Sequence, residues 1–386
     1  MERSTERILT THTGSLPRPQ KLAEVLTLRD RGELPSEQAE AFPGLVREAV
    51  AEIVRRQADA GVDVVSDGEM SKFGYATYVK ERLTGFEGPP EPLALADLAD
   101  YPDFTMRVPL EVTNPSCTAP VTFRGADAVQ ADIDNLTAAT QVPNVEGAVL
   151  NAASPGIISE YMANRYYDSE EDYLYALADA MKHEYDAIIR AGFLLQLDCP
   201  DLACGRHLRV PPMDVEDFRK QVELRVEVIN HATRDIPPER MRLHVCWGNY
   251  EGPHHHDVAL ADIIDIVLRV RPATLLIEAA NPRHEHEWEV FEEVSLPEGK
   301  VIVPGVIDTL TTYIEHPELV AQRITRYANV VGRENVMAGT DCGFATFATF
   351  VNVDPEIAWG KLEALAQGAE LASRRLWGSP ARSSVD

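Results

Sequence analysis

Four side chains stand out for the chemistry they could do together. In RLHVCWGN, His244 and Cys246 are two residues apart, so on an extended strand both side chains leave the same face, as two ligands of one ion must. Glu278 closes the apolar run TLLIE and Cys342 follows NVMAGTD, so each falls where a strand gives way to a loop. Two thiols, an imidazole and a carboxylate suit four-coordinate Zn²⁺. They suit Mg²⁺ or Ca²⁺ poorly, because those ions take oxygen ligands. Spacing alone leaves a second reading open, since free cysteines at strand ends are also ordinary small buried hydrophobes. Cys117, Cys199 and Cys204 sit in no paired motif and read as packing residues.

Residues so far apart in the chain can meet only where a fold gathers strand ends. Short β-branched runs alternate with long amphipathic stretches, the pattern of βα units around a parallel sheet. The runs predict eight strands, at 7–13, 62–67, 147–151, 193–198, 242–246, 275–278, 301–306 and 336–340. Between them, 169–190, 257–270 and 317–331 carry apolar residues at helical spacing, the first opening on acidic residues and ending before Gly192. Eight such units predict an α/β chain folded as a single (β/α)8 TIM-type barrel over residues 1–386, with the active site at the carboxyl ends of its strands. A doubly wound open sheet is the competing architecture, but no glycine-rich dinucleotide or phosphate motif follows the first strand. The surplus length falls in two places: an N-terminal helical excursion at 14–61, and an insertion at 86–146. In the latter TMRVPLEV and PVTFRG read as an antiparallel hairpin or lid between strands 2 and 3.

Composition narrows the partners. The 386 residues carry 36 Lys+Arg against 62 Asp+Glu, a net charge of −26, which is the wrong sign for nucleic acid or an anionic membrane surface. Five cysteines, an odd count, argue against a disulfide framework. With no signal-like apolar run at the start and no apolar stretch long enough to span a bilayer, a cytoplasmic protein acting on small molecules is expected.

The motifs, taken in order, resemble the catalytic C-terminal barrel of cobalamin-independent methionine synthase, within the wider group of zinc-dependent thiol-alkylating barrel enzymes. That family's metal motif is HxC, then Glu at the end of the next strand, then Cys in a DCG turn; here these are His244-Val245-Cys246, Glu278 and Cys342 in GTDCGF. A GS turn (Gly14-Ser15), a DGE (Asp67-Gly68-Glu69) and a QxD (Gln196-Leu197-Asp198) also recur. The resemblance implies a Zn²⁺ held by His244, Cys246, Glu278 and Cys342. It also implies that Ser15, Glu69 and Asp198 grip the amino-acid part of homocysteine. Two features depart from it: VLNAASPGIIS lacks the tryptophan that stacks on the pterin, and Cys199-Pro200 follows Asp198 where the family has Glu-Pro.

The expected activity is transfer of a methyl group from a methyl-folate-like or corrinoid donor to a zinc-bound thiolate such as homocysteine, giving methionine. Protonation of the leaving group falls to His12 or Asp308, both at strand ends. Two alternatives stand beside it: opening of an epoxide by a thiol, as in epoxyalkane:coenzyme M transferase, and a non-catalytic zinc- or thiol-binding barrel. The donor and the oligomeric state are not legible in the sequence. His254-His255-His256 reads as a solvated turn or substrate loop, and His284 and His286 as supports of the metal or as surface residues. Tyr75, Tyr161 and Trp247 are candidates to line the pocket.

Overall fold

The computed structural model describes residues 3–106, 113–349 and 353–378. Among these residues nine strands form: β1 (Val64–Ser66), β2 (Pro90–Pro92), β3 (Thr113–Pro115), β4 (Gly147–Ala153), β5 (Leu194–Asp198), β6 (Met241–Val245), β7 (Thr274–Glu278), β8 (Val301–Ile307) and β9 (Gly339–Thr340). All but β2 and β3 belong to one mostly parallel sheet, in the order β1-β4-β5-β6-β7-β8-β9. Its strands are runs such as MRLHV and VIVPGVI that are buried at every position. A strand with both faces covered needs this continuous apolar character, which belongs to parallel sheets flanked by helices.

The chain divides into two compact units. One comprises Met1–Phe73, Asp132–Leu150 and Thr274–Asp386, the other Gly74–Ala131 and Asn151–Ala273. In the first, β1 runs parallel to β4, with Val64 opposite Gly147, and β7, β8 and β9 form successive parallel pairs. The two helices of the N-terminal excursion are present as Gln20–Asp30 and Ser36–Asp59. In the second unit β5 and β6 pair in parallel, and the flanking helices Glu170–Arg190 and Val215–Ala232 start on side-chain caps from Ser169 and Asp214. No helix among the described residues is long and apolar enough to cross a membrane.

Two expectations need correcting. Segment 7–13 forms no regular strand, only parallel bridges from Thr10 to Ala338 and from Thr11 to Val64. Side chains take the place of a ladder there: the amides of Ile8, Leu9, Thr10 and Thr13 donate to Ser373 Oγ, Ser4 Oγ, Asp63 Oδ2 and Thr340 Oγ1. Likewise 336–340 shortens to the two-residue β9, with Val336 bridged to Ile302. In the 86–146 region the described antiparallel pair joins β2 to β3. Most of TMRVPLEV lies outside the described residues, and Phe123 of PVTFRG makes one bridge, to Leu83. Ala126–Ala139 is a helix whose buried Val129, Ile133 and Leu136 recur at the spacing of one helical face.

Candidate active site and metal centre

In the first unit the ends of β7 and β9 are tied together by one carboxylate. Asp341, just past β9, accepts the amides of Ala279 and Ala280 on Oδ1, at 2.8 and 3.0 Å, and the amide of Asn281 on Oδ2 at 2.9 Å. The two chains come this close because β8 carries a glycine between them: a Cβ on Gly305 would lie 2.4 Å from the Asp341 Cα. Cys342 is thereby set beside Glu278, its Sγ 3.6 Å from Oε1, while Asn281 Nδ2 donates to Glu278 Oε2 at 2.6 Å. Burial and the charges of Glu278 and Asp308 push the Asp341 carboxyl well above the ordinary range.

The GS and DGE turns close around the same strand ends. The Phe344 amide donates to the Ser15 carbonyl at 2.8 Å, and the Leu16 amide to the Gly68 carbonyl at 3.1 Å. Glu69 is held at φ 58°, a left-handed conformation that a non-glycine residue adopts only when its surroundings impose it. Two bonds impose it here: its amide donates to Asp67 Oδ1 at 2.9 Å, and its carbonyl accepts Arg18 Nη2 at 3.1 Å. Arg18 also reaches the Ala345 carbonyl at 2.7 Å and comes within 4.0 Å of Glu69 Oε2. Burial lowers its pKa, against the pull of Glu69 and Asp67. Sequence reasoning missed Arg18, Asp341 and Asn281; each lies within four residues of a recognised motif residue, and that proximity was the available signal.

His12 is buried, with Nε2 2.8 Å from Gln57 Oε1. Gln57 Oε1 also accepts the Ser66 amide, and its Nε2 donates to two carbonyls, so the amide oxygen faces the imidazole and His12 donates from Nε2. Asp308 caps its own turn through Oδ1, which accepts the amides of Leu310 and Thr311. His284 is buried with Nδ1 2.8 Å from Glu287 Oε2, whereas His286 is exposed.

In the second unit the β5–β6 register sets Asp198 opposite His244 and Gln196 opposite Arg242. The Asp198 carboxylate accepts Gln196 Nε2 at 2.7 Å and Asn151 Nδ2 at 3.2 Å. Burial draws the pKa of Arg242 down to about 9, and the charge of Asp198 opposes the fall. His244 and Cys246 are both buried, and the Gly248 amide donates to Cys246 Sγ at 3.2 Å, a contact that favours the thiolate. Tyr75 and Tyr161 meet edge to face with their hydroxyls 3.3 Å apart. Trp247 is wholly buried and donates to the Val258 carbonyl, so it anchors a loop from within the core. Burial pushes the thiols of Cys117, Cys199 and Cys204 up, in keeping with packing roles.

Among the described residues, His244 and Cys246 are buried in the second unit and Cys342 is buried in the first. The family described as cobalamin-independent synthase, catalytic domain, matches residues 8–353. A methionine synthase of Thermococcus kodakarensis is 26% identical over 366 residues, covering 94% of this chain and 93% of its own. One from Saccharolobus solfataricus is 26% identical over 376 residues, covering 95% of each. The solved structure of a B12-independent methionine synthase from Shewanella, in complex with selenomethionine, shares the fold. Its TM-score is 0.76 and its identity 21%, over 97% of this chain and all of that one. With the motif residues in order along the matched span, the chain belongs to the cobalamin-independent methionine synthase family of methyltransferases.

Proposed function

We propose that the chain is a zinc-dependent methyltransferase that passes a methyl group from a methyl-folate-like or corrinoid donor to homocysteine, giving methionine. The observation that supports this reading is the pair of donors each unit holds buried at its strand ends, His244 with Cys246 at the end of β6 and Cys342 beside Glu278 past β9, which together offer N, S, S and O ligands. Glu278, at 3.6 Å from the Cys342 sulfur, would be the fourth ligand and the one a substrate thiol displaces. Soft sulfur with one imidazole and one carboxylate fits Zn²⁺, and ligands dispersed over several strand ends fit an exchangeable site better than a closed structural one. Bound zinc would supply one thing, a substrate sulfur kept as thiolate near neutral pH, where a free thiol of pKa ~8.5 is mostly protonated.

The chain's own residues would bind and orient. Glu69 and Asp198 would take the substrate ammonium, and Ser15 with neighbouring amides the carboxylate. Gln196 and Asn151 hold Asp198 in one rotamer, and its place opposite His244 supports an ammonium bound close to the metal ligands. An N-methyl donor leaves as a poor anion unless it is protonated. His12 commits its Nε2 proton to Gln57, so the proton donor we assign is Asp308, through the Oδ2 that its turn does not use. The same reading counts segment 7–13 as the eighth strand position of a single (β/α)8 barrel, with 86–146 as its lid, in a cytoplasm that keeps thiols reduced.

X-ray absorption at the zinc edge tests the site: homocysteine should add one sulfur to the shell, and an unchanged shell would sink the proposal. The donor is tested by assaying homocysteine, coenzyme M and glutathione against methyl-folate, methylcobalamin and an epoxide. Turnover of the epoxide with no methyl transfer would replace this reading by thiol-driven ring opening.

A further inference from the structure

In the second unit the loops that follow β5 and β6 and the short helix Ala96–Ala99 bring together three buried side chains the methyl-transfer chemistry does not use, His207, Asp257 and Asp97. His207 is 0% exposed, and neither of its ring nitrogens has a hydrogen-bond partner. Asp257 Oδ1 lies 3.6 Å from its Nδ1, and ligand atoms of Asp97, His207 and Asp257 all fall within 4.8 Å of one another. The backbone fixes the trio, since the Ala96 amide donates to the His207 carbonyl at 3.0 Å. Both carboxylates are oriented from behind. Tyr250 Oη and the His256 amide donate to Asp97 at 2.5 and 2.9 Å, and His254 Nδ1 lies 3.2 Å from Asp257 Oδ2. Burial holds the His207 imidazole below its ordinary pKa, against the pull of both aspartates.

Native interiors give nearly all buried imidazole nitrogens a hydrogen-bond partner, and those of His207 have none. We infer that Asp97, His207 and Asp257 form a second metal site, for a first-row divalent cation such as Zn²⁺, Mn²⁺ or Co²⁺, that pins the loops after β5 and β6. One nitrogen and two carboxylates match these ions, whereas Ca²⁺ and Mg²⁺ favour all-oxygen shells. Carboxylates gripped from outside are what a metal shell needs to keep its geometry. Of the neighbouring pair, Nε2 of His255 and of His256 both meet Asp100 Oδ2, at 2.9 and 2.7 Å, and Nδ1 of His255 lies 3.3 Å from Asp97 Oδ1, so Asp97 stands between the two clusters. This site shares no residue with the proposed thiolate centre.

The test is a Co²⁺ titration of the chelator-stripped full chain, read by metal per chain and by absorption. The wild type should bind two Co²⁺, one with an intense sulfur-to-cobalt band and one with weak ligand-field bands alone. A Cys246→Ser/Cys342→Ser variant should keep the second and lose the band; His207→Gln should keep the band and bind one. A single Co²⁺ carrying the sulfur band in the wild type, or none in the double-serine variant, overturns the inference without reference to how His207→Gln folds. Loss of the second ion on His255→Ala/His256→Ala, with His207→Gln unaffected, also overturns it. Absence of the sulfur band with a second ion still bound would count against the thiolate centre alone.

Discussion

The DCG turn should fail in a specific way when its glycine gains a methyl group. A Cβ on Gly343 would stand 2.4 Å from Ser15 Oγ, 2.8 Å from the Ser15 amide nitrogen and 3.0 Å from the Thr13 carbonyl. The hydroxyl can rotate away, but the other two atoms are backbone, held by the Phe344-to-Ser15 and Thr13-to-Thr340 bonds. Gly343→Ala must therefore displace the GS turn as a whole. Overpacking of this kind costs about 1–3 kcal/mol. An unfolding entropy of about 2.1 cal/mol/K per residue over the whole chain turns about 2 kcal/mol into a fall in Tm of roughly 2–3 °C. The larger effect falls on substrate: losing a hydrogen bond to the charged carboxylate, about 1.5–3 kcal/mol, should raise the homocysteine KM roughly ten- to a hundredfold. Zinc content should stay that of the wild type, because the Cys342 thiol is not removed. Gly44 is the control: a Cβ there meets nothing within 4 Å, and alanine within the Ser36–Asp59 helix should be neutral or stabilising. A Gly343→Ala enzyme with wild-type KM and wild-type Tm would refute the placement of Ser15 against the DCG turn.

Replacing Cys246 or Cys342 by Ser should abolish zinc binding and methyl transfer together, as measured by metal analysis and turnover; full activity without metal contradicts the site. Asp198→Asn keeps the shape that Gln196 and Asn151 surround but removes the charge, so the homocysteine KM should rise tenfold or more with zinc retained. Lys300 is drawn down to about 8 by burial. The unfolded chain therefore holds one more proton between pH 8 and 10.5, and its penalty on folding is present below pH 8 and relieved as pH rises through that window. Comparing denaturation of wild type and Lys300→Met should show their stability difference shrinking from pH 8 to 10.5, and a pH-independent difference would contradict the burial effect. Gln57→Ala should lower stability by about 1–3 kcal/mol, since it strips the Ser66 amide and His12 of a buried acceptor; loss of activity with unchanged stability would instead make His12 a participant in proton transfer.

Much of this molecule is local and therefore legible in the sequence. The alternation of a strand makes HxC a same-face pair on any strand that carries it, and the apolar runs of β5 to β8 announce parallel strands buried on both sides. The order of Gly14-Ser15, the DGE, the QxD, the HxC, Glu278 and the DCG could be read as a family signature before any coordinate was known. The helix Ala126–Ala139 is local too, written in the spacing of Val129, Ile133 and Leu136 along one helical face.

What tertiary structure decided is which side chains replace backbone partners, and pattern carries no information on that. Segment 7–13 alternates like a strand, yet Asp63, Ser373 and Thr340, distant in sequence, take its amides. Asp341 looks like any aspartate before a cysteine until three amides beyond β7 converge on it, and Arg18 like any turn arginine until two motif loops close over it. His207 carried no motif at all; only the approach of Asp97, from a short helix, and Asp257, from another loop, gives its nitrogens, which have no hydrogen-bond partner, a meaning. The sequence thus determined the kinds of donor and the strands that end in them. The fold decided their company, because burial makes every polar group's partner a question of three-dimensional supply.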